Sequence, residues 1–228
     1  MYAPGAGEKT EGTVSRAVRK ALTAEEAVAF IAGDDPRPLL VLRECKVCNG
    51  TDDALLKSGS DNEKTFLLSA WFHCVKLPID VMEKDHPFHA MFTEKNPEHL
   101  FVASSDGSRH DPLESQTSRT ELWKSMISIL ETEYTKKPKT SLKKLQTLLD
   151  KLDAQDARLR EITSRRDEIL EEDGPKSKKL PKLDKKIVNE EDTLAKLQGE
   201  VTVAYRLELR RQKMEAKEAV KKETSLKH

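Results

Sequence analysis

Hydrophobic positions divide the chain into two regimes. Up to about residue 137 they come as short apolar runs separated by turn residues, and beyond it as single leucines spaced three and four apart among charged residues. In the first regime, Thr23-Ala24-Glu25-Glu26 fits a capping box, and Ala27, Val28, Phe30 and Ile31 give the following helix an apolar face. Gly33 to Pro38 stops that helix. Leu39-Leu40-Val41-Leu42 is a continuous apolar run, as expected of a strand buried on both faces. A short helix is expected over 51–57. Thr65 to Val75, rich in aromatic and apolar residues, reads as a second central strand. A short helix near His86–Phe92, a strand from His99 to Ala103, a turn at Asp106-Gly107 and a strand near Arg109–Leu113 follow. Ser118 or Thr117 caps a last helix with Leu122, Met126, Ile127 and Leu130 on its buried side. Alternating helices and strands closed by a hairpin predict an α/β domain around a mixed sheet.

The second regime predicts helices of another kind. Leu145, Leu148, Leu152, Gln155, Leu159, Ile162, Arg166 and Ile169 form a heptad seam with two polar interruptions. Gly174-Pro175 ends that helix. A second seam runs through Leu180, Leu183, Ile187, Glu190, Leu194, Leu197, Val201 and Ala204. The short connection predicts a long antiparallel α-helical hairpin, a coiled coil with Ile169 near Leu183, Leu159 near Leu194 and Leu152 near Val201. The expected organisation is thus a disordered tail over 1–12, an α/β domain over 13–137 and a helical arm over 138–228.

Charge refines this only slightly. Of 228 residues, 40 are basic and 40 acidic, and the balanced total gives no field favouring nucleic acid or an anionic membrane. No run reaches the ~20 apolar residues of a membrane span, and the first residues lack the apolar core of a secretory signal. The expected location is cytoplasmic, or periplasmic or secreted if a signal peptide was removed. No phosphate loop, dinucleotide fingerprint or nucleophile elbow occurs, so no cofactor is expected.

The chemistry-bearing motif is Cys45-Lys46-Val47-Cys48, directly after the apolar run and before a helix. A helix N-terminus stabilises an anion, which makes a thiol there more acidic and available for disulfide exchange. The same spacing suits half a zinc site, with Cys74, His73, His86 and His89 as further candidates, or a structural pair. Cys74 reads as a core residue, as do Trp71, Phe72, Phe101 and Trp123.

Over roughly residues 23–134 the chain resembles the thioredoxin-like family, as a divergent member with a C-terminal coiled-coil extension. The resemblance rests on the helix, Pro38-to-Leu42 running into Cys-x-x-Cys, Leu77-Pro78-Ile79-Asp80, Pro97 shortly before Leu100-Phe101-Val102, and the amphipathic last helix. It implies a three-layer fold and a thiol–disulfide oxidoreductase with a redox-active centre. Cys45 would attack a protein or small-molecule disulfide, and Cys48 would resolve the mixed disulfide. Pro97 would be the substrate-holding cis-proline. The chain departs from the family pattern at Glu44, where a Trp is usual, at Lys46-Val47 in place of Gly-Pro, and in lacking a buried acidic residue in Leu39–Leu42. The alternative is a non-catalytic scaffold whose coiled coil binds a protein partner or a second copy.

Overall fold

A computed structural model describes residues 21–45, 54–55, 62–94, 97–114 and 116–225. The protein is mixed α/β, with a four-stranded mixed sheet and, among the described residues, one very long helix. The chain divides into two compact units: residues up to Thr135 together with those from Leu209 onward, and residues 136–208.

In the first unit, α1 (Ala24–Ala32) begins at the expected capping box. Thr23 N–H donates to Glu26 Oε2 at 2.9 Å, and Glu26 N–H donates to Thr23 Oγ1 at 3.2 Å. Gly33, at φ 54°, ends the helix in a conformation that a side chain would disfavour. Strand β1 (Leu39–Arg43) pairs in parallel with β2 (His73–Leu77) and antiparallel with β3 (Leu100–Ala103), which pairs antiparallel with β4 (His110–Leu113). The order β2-β1-β3-β4 makes β1 interior, as its apolar run predicts. Leu39, Val41, Leu77, Phe101 and Ala103 form one core with Val28 and Ile31 of α1 and with Phe88 and Phe92. By alternation, Leu40, Leu100 and Val102 face the other way. Helix α3 (Arg119–Glu133), capped by Ser118 and Glu121, packs against β3 and buries Leu122, Met126, Ile129 and Leu130.

The run Thr65–Val75 corrects the expectation of a second central strand. Helix α2 (Glu63–Ser69) occupies its first half, and the strand starts only at His73, on the edge of the sheet. The run carries both periods. Read as a helix, it buries Thr65, Leu68 and Phe72, and Leu67 with Trp71, while Phe66 stays exposed. The edge position also moves Cys74 out of the core: it is exposed, and its thiol donates to Ser69 O at 3.5 Å. Trp71, Phe72 and Phe101 are buried as expected, whereas Trp123 is half-buried and donates from Nε1 to Thr65 Oγ1 at 2.9 Å.

The loop into β1 is fixed by charge. Asp35 Oδ2 lies 2.6 Å from Arg37 Nη2 and 3.0 Å from His73 Nδ1, joining the entrance of β1 to that of β2. The Arg37 hydrogen bond lowers the Asp35 pKa from 3.8 to about 2. A carboxylate depressed on folding stabilises the native state above its unfolded pKa, and loses that contribution as pH falls through the folded value. The group therefore contributes on the order of 1–2 kcal/mol at neutral pH, after allowance for the solvent around Arg37. Most of this is lost between roughly pH 4 and pH 2. Asp35→Asn is expected to flatten that part of the acid limb in thermal melts against pH. An unchanged limb would assign acid sensitivity to other carboxylates.

The second unit pairs α4 (Pro138–Asp173) with α5 (Leu180–Tyr205). Helix α4 spans about 54 Å at ~1.5 Å per residue. Every seam position expected from the sequence, on both helices, is buried or half-buried, and almost all the positions between are exposed. Polar interruptions meet each other: Gln155 Nε2 donates to Glu190 O at 3.1 Å and to its carboxylate, and Arg158 approaches Glu190 at 3.9 Å. Arg166 Nε donates to Asp184 Oδ1 at 2.6 Å, and Lys179 pairs with Asp173 at 2.9 Å. These contacts put Gln155 and Leu159 opposite the Glu190 turn, about half a heptad from the register that pairs Leu159 with Leu194. The seam is met as expected but read half a repeat out of step, because apolar spacing alone fits either register and the polar pairs select one.

Gln155 is nearly buried, so its amide specifies that register at some expense of stability. Replacing Gln155 and Glu190 together by Leu is expected to stabilise the helical unit by about 1–3 kcal/mol. Gln155→Leu alone, which removes the amide donor and leaves the Glu190 carboxylate only the long Arg158 contact, is expected to destabilise it by about 1–2 kcal/mol. Thermal melts followed by circular dichroism distinguish the two signs.

Beyond Tyr205 the helix does not continue to the end of the expected arm. Leu209 forms an isolated β-bridge with Tyr134, and α6 (Arg210–Ser225) belongs to the first unit. There Arg210 donates to Glu131 O at 3.4 Å, and Arg211 pairs with Asp106 at 3.4 Å. Among the described residues, no helix is long and apolar enough to cross a membrane.

Candidate functional site

The site lies where β1 delivers the chain to Cys45. Hydrogen bonds fix the strand's exit from both sides: Arg43 N–H donates to His99 O at 2.7 Å, and Glu44 N–H donates to Leu77 O at 2.8 Å. Cys45 follows at once and is half-buried. Cys48 lies outside the described residues, as does most of the expected helix 51–57, of which Ala54 and Leu55 are described and are helical.

Arg43, not anticipated from the sequence, is the residue that organises this end of the sheet. It is 2% exposed, which is rare for an arginine. Its guanidinium donates from Nε to Glu98 O at 3.1 Å and from Nη2 to Pro97 O at 3.1 Å. Nη1 donates to Glu44 O at 3.2 Å and reaches Met82 Sδ at 3.0 Å, and Nη2 lies 3.2 Å from His99 Nδ1, which must accept. Its carbon centre stands 5.4 Å from the centroid of the Phe92 ring. Burial lowers the Arg43 pKa from its ordinary value, opposed by the Glu98 charge. One buried cation thus ties the strand end carrying Glu44 to the carbonyls of Pro97 and Glu98. The Asn96–Pro97 bond involves a residue outside those described.

The charges around this end are partly offset. Glu44, a residue that alone opposes a thiolate at Cys45, pairs with Lys76 across the sheet at 2.6 Å. Glu98 Oε1 lies 2.6 Å from His110 Nε2. Cys74 is differently disposed: although the residue is exposed, protein atoms around its sulfur exclude part of the solvent and raise its thiol pKa, with the Arg37 charge opposing, which disfavours the thiolate.

The remaining metal candidates are engaged elsewhere. His73 pairs with Asp35, His86 Nδ1 accepts from Phe88 N–H at 3.1 Å, and His89 Nδ1 contacts Met82 O at 3.0 Å. Among the described residues, no three His, Cys, Asp or Glu side chains converge as a metal cluster.

Beside Pro97 opens a cleft of about 870 Å³ between the start of α1, the segment Ala90–Glu94 and the outer face of β4. Comparison with protein-family models, with curated proteins and with solved structures finds no match to this chain.

Proposed function

We propose that the chain is a thioredoxin-like thiol–disulfide oxidoreductase carrying an antiparallel helical hairpin that positions the domain or mediates association. The observation that carries the reading is the Arg43 clamp, which joins the end of the interior strand, where Cys45 begins the dithiol motif, to Pro97. The strand order β2-β1-β3-β4, with one parallel and two antiparallel pairings, supports the same fold. The run of contacts from Asp173–Lys179 through Arg166–Asp184 to Gln155–Glu190 supports the hairpin.

In the reducing direction the Cys45 thiolate attacks one sulfur of a substrate disulfide. The substrate S–S bond breaks and its other sulfur leaves as a thiolate. The Cys48 thiolate then attacks the Cys45 sulfur of the mixed disulfide, and the second substrate sulfur leaves. Two electrons pass to the substrate, and Cys45 and Cys48 are left as a disulfide. Oxidation is the same sequence reversed.

Thiol labelling across a glutathione or dithiothreitol series, on metal-free protein, tests this. The expected result is one two-electron transition in which Cys45 and Cys48 lose reactivity together and Cys74 does not. Thiols that never pair at any poise point to a scaffold, and protection that appears only with zinc points to a metal site.

A further inference from the structure

The cleft beside Pro97 exists because the helical layer stops short of β4. Helix α1 and the segment 79–92 cover one face of β1, β2 and β3, with Leu39, Val41, Leu77, Phe101 and Ala103 beneath them. His110 and Pro112, opposite Ala103 and Phe101 in the register, continue that face but line an open cleft. Val28 and Met91 add apolar surface. The volume falls within the range of sites that enclose a ligand.

The charge of the lining is one-sided. Among the described residues, Glu25, Glu94, Glu98 and Glu114 line the cleft and no Lys or Arg does. Glu25, Glu94 and Glu114 are exposed, and none of them makes an ion pair with a described residue. Glu98 differs. Its Oε1 is buried, and His110 meets it within ion-pair range but off the line of a hydrogen bond, so this oxygen still lacks a donor. A buried carboxylate oxygen without a donor is costly and is relieved by a cationic donor from outside.

We infer that this cleft docks an extended, basic peptide segment of the disulfide-bearing partner, with its apolar side chains on Val28, Met91 and Pro112 and its Lys or Arg side chains on the carboxylate rim. The inference supplies the substrate class of the exchange site and to that extent rests on the function proposed above. Peptide docking itself requires no thiol. A globular acidic partner, a nucleic acid or an anionic lipid would be repelled by the same rim.

The test titrates the full chain with a fluorescein-labelled, cysteine-free peptide alternating Lys and Val, and with its Glu-Val counterpart, read by anisotropy. The basic peptide is expected to bind, more weakly as salt rises, and the acidic one is not. The combined variant Glu25→Gln, Glu94→Gln, Glu114→Gln is expected to bind about tenfold more weakly or worse. A control variant, Glu168→Gln, Glu171→Gln, Glu191→Gln, alters exposed carboxylates of the helical unit and is expected to bind as the unmodified chain does. Cys45→Ser with Cys48→Ser is also expected to retain binding, which separates failure of the docking site from failure of the redox reading. Equal weakening in both triple variants, equal binding of the two peptides, or no binding of the basic peptide overturns the inference. A rim-dependent dimer of the free chain likewise overturns it, by assigning the cleft to a second copy.

Discussion

Cys45→Ser is expected to reduce disulfide exchange to the uncatalysed background, while Cys48→Ser leaves the first chemical step intact and accumulates a mixed disulfide with the substrate. The asymmetry follows from the order of attack. Without the Cys45 sulfur there is no nucleophile at the strand end, and without Cys48 nothing resolves the intermediate. Cys74 does not substitute, since partial loss of solvent around its sulfur raises its thiol pKa and it lies on the edge strand. Incubating each variant with a disulfide-bearing protein and separating products without reductant reads the result directly. A trapped adduct with Cys48→Ser that disappears in the double variant supports the assignment. Equal, low adduct formation by all variants leaves the dithiol without a catalytic role. The pH dependence of Cys45 alkylation in Cys48→Ser adds an independent check: a thiolate favoured by its surroundings reacts fully below the ordinary thiol pKa of about 8.5.

What could be read from the sequence was local or periodic. The capping boxes at Thr23 and Ser118 are complete within four residues, so no distant contact can override them easily. Leu39–Leu42 announces an interior strand because only burial on both faces tolerates four apolar residues in succession. The heptad seams survive to the last position for the same reason: a long pair of helices has little else to bury. Where two periods fit one run, as in Thr65–Val75, tertiary context chose the helix, and Cys74 moved to the surface with the strand. The end of α5 at Tyr205 carries no Gly or Pro to announce it. It is set by the pairing of Leu209 with Tyr134, a partner 75 residues away by subtraction of those numbers. Arg43 was illegible for a related reason. Its acceptors are main-chain carbonyls of Pro97, Glu98 and Glu44, which no residue-type pattern displays. The one available signal was an arginine at the end of a strand whose other residues are all apolar.

Arg43→Met is expected to destabilise the first unit by about 3–5 kcal/mol, lowering its melting temperature by roughly 10–15 °C. The apolar stem is retained, so the loss is that of the donors: the carbonyls of Pro97, Glu98 and Glu44 are left beside a thioether that offers none. Arg43→Lys keeps the charge but replaces a planar fork by a single ammonium, which cannot reach acceptors on both segments at once, and is expected to lose about half as much. Stability alone does not decide whether Arg43 positions the site, so the second readout is exchange rate per folded molecule, measured well below each variant's melting temperature. If the clamp sets Pro97 against Cys45, Arg43→Lys loses exchange rate while still folded, and the loss is shared by every disulfide substrate. If Arg43 only closes the core, the folded Lys variant exchanges at the unmodified rate. The buried guanidinium bonds to the carbonyls of both segments, which favours the first outcome and makes Arg43 a positioning residue.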